Sequence, residues 1–435
     1  MLKKKVTVFL LFLTDILKWL FLAALTGAVV GALSAGFIRL LNLACAAVGG
    51  IPYYFLFLPF AMFVSSFLAA RVSPSAEGHG TEKAIEAIHK NNGKMDAKVI
   101  PVKIAATVFT IAFGGSAGKE GPTTQIGAGA ASVLAGLFRL SPHDAKRLVI
   151  CGMSAAFAAI FGTPVAAAVF AVEVLVVGRL NLKNILPVMT AAVVGRLVSL
   201  WLGAPTELMP SFFDLSITQY NALPMLSSAL FSGVFFGLVS LLTISVLNLT
   251  HRFAEKIKIY KPLKGLIGGG AIIVLALIFG SDYLGLGINY FMPAIEGGQV
   301  RLYDFLLKML FTAVTLSFGG SGGILTPLMF IGITSGNAFA AVFGLDPSLY
   351  ACLGMLCVLA SSTNTPLACI IMAFEMFLSP GLAVLATVAC PVAYLVTGHR
   401  SVYPTQRMSE SKIKSIFLES TTAGEPDERI RKQTE

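Results

Sequence analysis

Two glycine-rich blocks hold the residues whose types and spacing allow chemistry. The first reads Phe113-Gly114-Gly115-Ser116-Ala117-Gly118-Lys119-Glu120-Gly121-Pro122, and the second Phe318-Gly319-Gly320-Ser321-Gly322-Gly323-Ile324-Leu325-Thr326-Pro327. Each is a glycine-rich loop, then a proline, then a predicted helix. Pro122 and Pro327 suit a first helical turn, where a missing N–H would have had no intrahelical partner. Free amides at such a terminus, at the positive end of the helix dipole, make an anion site. Two termini facing one another could hold a dehydrated anion without a fixed positive side chain, which would bind too tightly for fast release. The pattern points to anion permeation. Glu120 is the sharpest residue in it, because its counterpart in the second block is Leu325. A carboxylate at this depth can enter the amide nest as a tethered anion, and protonation removes the competition; the bland alternative is a capping carboxylate that never moves.

Other ionisable residues carry less. Lys103 lies deep in the apolar stretch Val99 to Gly115, where it either raises the local positive potential or snorkels to an interface. Glu173 and Glu375 occupy equivalent places near helix ends and are expected to make structural hydrogen bonds. His79, His89, His143, His251 and His399 are scattered outside any metal or acyltransferase pattern, and neither glycine block fits a nucleotide-binding motif. No cofactor or metal is expected, nor an enzyme. The six cysteines all sit in apolar context without a CxxC pair and read as small buried hydrophobes.

The elements that position these residues must be membrane helices. Of 435 residues, 56% are hydrophobic and only 12% charged, against about a quarter charged in a soluble domain. Trp19 to Ile38, Leu148 to Val172, Leu223 to Thr250 and Met309 to Leu345 each exceed the roughly 18 apolar residues that span a bilayer. A soluble enzyme and a disordered scaffold are excluded. The formal charge of +10 reads as topology rather than as nucleic-acid binding. Basic residues gather at Lys3 to Lys5, at Arg252 to Lys264 and from Arg400 onward, whereas Gly203 to Pro224 has none. Cytoplasmic loops collect Lys and Arg, so both termini are expected inside and the 204–221 connection outside. The short Phe9 to Leu13 run lacks a small-residue cleavage site, so no cleaved signal peptide is expected, and the first apolar segment reads as an interfacial or entry helix.

The chain also repeats itself. The two glycine blocks align at an offset of 205, and a second pair aligns at 202: Gly152-Met153, Thr163-Pro164-Val165-Ala166 and Glu173 against Gly354-Met355, Thr365-Pro366-Leu367-Ala368 and Glu375. Two blocks in one order at nearly equal offsets indicate duplicated halves. The predicted organisation is an N-terminal cytoplasmic or interfacial segment (1–19), a first membrane repeat (20–203), an extracellular connection (204–221), a second repeat (222–399), and a C-terminal segment ending in a disordered cytoplasmic tail (400–435). Duplicated halves in a membrane usually place the substrate site at their interface. Non-helical backbone at that depth is tolerated only where protein or a water-filled cavity satisfies its amides, so both glycine loops are expected to line a cavity.

Gly118-Lys119-Glu120-Gly121-Pro122 resembles the G-[KR]-E-G-P motif of the CLC family of chloride channels and chloride/proton exchangers. Ile100-Pro101-Val102-Lys103, Gly323-Ile324-Leu325-Thr326-Pro327 and Tyr403 within Ser401-Val402-Tyr403-Pro404 match further family motifs in the same order, and the resemblance covers about residues 20 to 415. It implies an all-α polytopic protein of inverted repeats with broken and non-spanning helices. A homodimer with one anion pathway per subunit, in a bacterial inner membrane and without cytoplasmic regulatory domains, also follows. By resemblance, Glu120 is the gating glutamate and Tyr403 donates its hydroxyl to the central anion. Backbone around Gly118, Lys119, Gly121, Ile324 and Leu325 completes the site, with chloride, other small anions and protons as partners. Three departures bear on selectivity and coupling. The usual G-S-G-I-P block is Gly78-His79-Gly80-Thr81-Glu82, putting an imidazole where a serine hydroxyl normally meets the anion; Leu325 replaces a phenylalanine; and Val174 follows Glu173 where coupled exchangers carry an internal proton-relay carboxylate. Chloride/proton exchange, an uncoupled chloride channel, a fluoride exporter and a non-transport membrane protein stay open as readings. Pro122 and Tyr403 favour the chloride type.

Overall fold

The computed structural model describes residues 2–205, 222–298, 300–409 and 412. The first repeat supplies α1 (Leu2–Gly49), α2 (Leu58–Val72), α3 (Thr81–Lys90), α4 (Val99–Ala112), α5 (Glu120–Leu137), α6 (Pro142–Phe161), α7 (Pro164–Glu173) and α8 (Ile185–Trp201). The second supplies α9 (Ala222–Lys256), α10 (Lys261–Phe279), α11 (Ile288–Ile295), α12 (Asp304–Ser317), α13 (Leu325–Phe343), α14 (Pro347–Thr363), α15 (Pro366–Phe377) and α16 (Pro380–Val396). The halves correspond helix for helix. The 206–221 connection and the tail beyond 412 lie outside the described residues.

Local chemistry sets the boundaries. Pro142, Pro164, Pro262, Pro347, Pro366 and Pro380 open their helices, where proline costs no hydrogen bond. Ser141, Asp346 and Ser379 cap theirs by accepting from the amides of Asp144, Leu349 and Leu382. Among the described residues six helices are long and apolar enough to cross a membrane, including Phe9–Gly49, Pro224–Lys256 and Leu325–Phe343, while α4, α7, α14, α15 and α16 are shorter. This is the mixture of spanning and broken helices that the glycine and proline pattern predicts. The first apolar segment does not stand apart as an interfacial helix: α1 runs without interruption from Leu2 to Gly49.

The centre is nearly dry. Most residues of α5, α6, α13 and α14 are buried, whereas α1, α2, α8, α9 and α10 expose large apolar side chains. Helix α5 crosses α6 so closely that a Cβ on Gly127 would lie 2.5 Å from the Gly152 carbonyl; Gly332 and Gly354 repeat this crossing between α13 and α14, at 2.6 Å. Small residues that let helix backbones touch are the usual means of packing where lipid removes the hydrophobic drive. After α16 the chain turns back along the inner end of the first repeat, where β2 (Arg407–Met408) pairs in parallel with β1 (Val176–Val177).

Candidate anion pathway

The two glycine loops meet at the centre of the fold. Gly118 and Gly323 form an antiparallel bridge, each N–H donating to the other's carbonyl at 2.7 and 2.6 Å. The loops are held by a second set of swapped bonds. The Ser116 amide donates to the Thr315 hydroxyl (3.1 Å), and the Ser321 amide to that of Thr110 (2.9 Å). The Ser116 hydroxyl pairs with Thr312 (3.0 Å), that of Ser321 with Thr107 (3.1 Å). Each pair is the other's image at the 205-residue offset, so the duplication survives as a pseudo-two-fold lattice of hydrogen bonds. Farther out, Glu173 accepts from the Leu367 and Ala368 amides (3.0 and 2.8 Å) that open α15, and Glu375 accepts from the Val165 and Ala166 amides (3.0 and 2.7 Å) that open α7. These carboxylates are anions bound to the opposite half's helix dipole, each satisfying amides that no intrahelical partner reaches.

At Glu120 the symmetry breaks. Its side chain is fully buried and crosses to the opposite helix terminus rather than its own: the Thr326 amide donates to Oε2 at 3.0 Å, and the Thr326 hydroxyl lies 2.6 Å from both carboxylate oxygens. Thr326 is the repeat mate of Gly121, and Leu325 the mate of Glu120. The repeat-related positions therefore hold a polar pair on one side, Glu120 bonded to Thr326, and the apolar Leu325 and Gly121 on the other. Gly118 leaves room for the polar pair, since a Cβ there would sit 2.5 Å from Glu120 Oε2 and 2.6 Å from the Thr326 hydroxyl. The Thr326 amide that donates to Glu120 comes directly after Ile324 and Leu325. Both of those are buried, as N-cap and first residue of α13. Lys119 is the buried N-cap of α5, and its carbonyl accepts from the Thr123 amide and hydroxyl.

His79, Gly80 and Thr81 pack against this junction. Gly80 has φ of +84°, and a Cβ on it would fall 2.2 Å from the Gly121 carbonyl, so only glycine fits. Lys103 does not snorkel; its buried ammonium donates to the carbonyls of Ala76 (3.0 Å) and Gly78 (2.7 Å) and so fixes the loop carrying His79. Its repeat mate Lys308, equally buried, donates to Tyr283 (3.0 Å) and Gly285 (3.1 Å). Lys308 was not among the sequence candidates, although the 205-residue offset from Lys103 points to it. Beside that second loop a cluster of Tyr283, Tyr290, Phe291, Phe311 and Phe330 fills the space.

Tyr403 approaches from the C-terminal segment and is fully buried. Its hydroxyl lies beside that of Thr81, yet neither completes a hydrogen bond of good geometry within the protein, and the same holds for His79 Nδ1. Buried polar atoms are ordinarily satisfied, so the adjacent Thr81 and Tyr403 hydroxyls mark a place for a polar guest, with His79 two residues before Thr81 in the same loop. Tyr403 is positioned through Gln406, which sequence reasoning missed. The Tyr403 amide donates to Ser401 Oγ (3.0 Å), Ser401 Oγ donates to Gln406 Oε1 (2.6 Å), and Gln406 Nε2 donates to the carbonyls of Thr363 (2.7 Å) and Val174 (2.8 Å). Val174 thus offers this site a carbonyl only; its side chain is buried and apolar. A cavity of about 420 Å³ leads toward the junction, lined by Glu77, Gly78, His79 and Glu82 on one side, His251, Glu255, Lys261 and Lys264 on another, and Ser401, Val402 and Pro404 at its inner end.

The profile of the voltage gated chloride channel family matches residues 61–398. A chloride/fluoride channel protein of Pseudomonas syringae pv. tomato is 34% identical, over 91% of this chain and 88% of its own. The voltage-gated ClC-type chloride channel ClcB of Escherichia coli is 29% identical over 89% and 92%. Among solved structures, a CLC-type fluoride/proton antiporter superposes with a TM-score of 0.83 at 31% identity, over 91% of this chain and 99% of that one. A slow cyanobacterial chloride/proton antiporter, at 0.75 and 21%, shares the fold. The chain is an integral, multi-pass membrane protein and a member of the CLC family of anion transporters and channels.

Proposed function

We propose that the protein exchanges a small anion for protons, one pathway per subunit of a homodimer in a bacterial inner membrane, with Glu120 as gate and fluoride as the preferred passenger. The observation that carries the gate is the Glu120 carboxylate bound to the amide and hydroxyl of Thr326 at the head of α13. A carboxylate held there is the tethered form of the anion that the helix terminus attracts. When Glu120 takes up a proton it loses its charge and most of its claim on those donors, and a free anion takes its place.

The passenger rests on the donor set. Fluoride is small and strongly hydrated, and leaves water only for strong donors. The hydroxyls of Thr81 and Tyr403 supply these side by side. The relatives point the same way, being a chloride/fluoride channel protein and a fluoride/proton antiporter. Chloride, expected from Pro122 and Tyr403, is the second passenger. The apolar Val174 supports an uncoupled channel as the other reading, because it removes one way of carrying a proton inward.

Purified protein in liposomes tests the whole proposal. Fluoride efflux should exceed chloride efflux, and an imposed fluoride gradient should drive protons uphill in the wild type but not in Glu120→Gln. Anion efflux without proton movement in the wild type would establish the channel reading instead, and chloride efflux equal to fluoride efflux would remove the passenger assignment.

A further inference from the structure

Three carboxylates line the cavity beneath the junction, and two are already engaged. Glu77 pairs with Lys261 at 2.5 Å, and Glu255 with His251 at 3.4 Å. Glu86, one turn along α3 from Glu82, is paired with Lys83 (2.8 Å) and Lys90 (3.5 Å). Glu82 differs: among the described residues its carboxylate makes no hydrogen bond or ion pair, although it is only partly exposed and faces the cavity. Its place is also close to the junction. It follows Thr81 directly, and its carbonyl accepts from the Thr405 hydroxyl (3.3 Å), two residues after Tyr403. The basic end of α9 and start of α10 contribute His251, Lys261 and Lys264 to the cavity's lining, and basic ends of this kind are expected on the cytoplasmic side.

We infer that Glu82 is the inner proton carrier of this protein, exchanging protons between cavity water and Glu120 across the hydroxyls of Thr81 and Tyr403. The inference rests on the exchange reading above and names the group that replaces the carboxylate missing at Val174. In the inward direction, a proton leaves the protonated Glu120 carboxyl as its carboxylate returns to Thr326. It is relayed by the two hydroxyls, each accepting one proton and releasing another, and arrives on the Glu82 carboxylate, which gives it to cavity water. Only O–H bonds form and break, and no redox partner is needed. The charged groups around Glu82 are Lys83, Glu86 and Lys90 on its own helix and, in the cavity it lines, Glu77, Glu255, His251, Lys261 and Lys264. His79 is the competing carrier, since its Nδ1 is also sealed at the junction without a protein partner.

The test compares proton and fluoride movement in liposomes holding the full chain, as wild type, Glu82→Gln, Glu82→Asp, Glu77→Gln and His79→Asn. The wild type comes first: if it moves no protons uphill, the exchange reading fails and this inference falls with it. If it does, Glu82→Gln should lower the ratio of proton to fluoride movement at least tenfold, Glu82→Asp should recover most of it, and Glu77→Gln should leave it within twofold. An unchanged ratio in Glu82→Gln would overturn the inference while leaving exchange intact. A ratio lost in His79→Asn but kept in Glu82→Gln would assign the proton to the imidazole. A merely structural Glu82 would lower both fluxes together and keep the ratio.

Discussion

Replacing Thr326 by valine removes one donor from the Glu120 carboxylate and keeps the other. The hydroxyl at 2.6 Å is lost, and the amide at 3.0 Å belongs to the backbone and stays. Valine is close to threonine in volume, so the buried site keeps its shape while losing a hydroxyl. A hydrogen bond to a charged group is worth about 1.5–3 kcal/mol. At about 1.4 kcal/mol per factor of ten, the bound-to-released ratio of the carboxylate should fall roughly 10- to 150-fold. If release of Glu120 paces transport, anion efflux at neutral pH should rise toward that factor until another step limits it. The decisive measurement is a double-mutant cycle in liposomes: wild type, Thr326→Val, Glu120→Ala and the double variant. Coupling through the observed contact predicts a rise in the first background and a change within about twofold in the Glu120→Ala background. Equal losses of efflux in both backgrounds would show that the Thr326 hydroxyl serves the passing anion and not the carboxylate, and the competition argument would fail.

Tyr403→Phe deletes the hydroxyl that finds no partner in the protein; loss of a charge-assisted bond should weaken anion binding by roughly 10- to 150-fold in calorimetry, and unchanged affinity would contradict its place at the guest's site. Lys103→Met and Lys308→Met each strand two buried carbonyls at about 1–3 kcal/mol apiece. Both should shorten the lifetime of the detergent-solubilised protein, but only Lys103→Met should also weaken anion binding, because its loop carries His79 and the Lys308 loop lies against aromatic rings. Glu173→Gln and Glu375→Gln remove the charge from equivalent helix caps and should destabilise the protein by similar amounts, about 1–3 kcal/mol each; a large difference in thermal stability between them would mean that one of the pair has a duty beyond capping.

Much of the architecture was legible because the duplication is written in residues that cannot drift without cost. Gly118 and Gly323 allow the loops to touch, and the helix-opening prolines mark where each half restarts. Lys103, read in isolation, offered two roles and not the loop-holding one that its hydrogen bonds show. Compared with Lys308 at the same offset, it shows itself as a loop clamp, since a charge repeated where only one copy lies near the junction serves the fold. Thr326 escaped notice for a different reason. Its contact with Glu120 joins residues 206 apart, and the sequence reading stopped at Ile324 and Leu325, just short of it. The paired differences Glu120/Leu325 and Gly121/Thr326 were visible side by side, but only the folded chain shows Glu120 bonded to Thr326. Gln406 left no signal, because a glutamine in a basic C-terminal segment looks solvated until packing buries it against Thr363 and Val174.

The main-chain stitch between Gly118 and Gly323 limits how this protein can move. Pulling it open would strand two donors and two acceptors in a dry interior, at about 1–3 kcal/mol for each group, and no side chain stands ready to replace them. The repeats are thus riveted where many transporters of duplicated design flex. With Glu120 as the proposed gate, passage through such a centre would be left to the swing of a single carboxylate and the shedding of water by the ion, with the surrounding helices serving as a fixed frame rather than as a rocker.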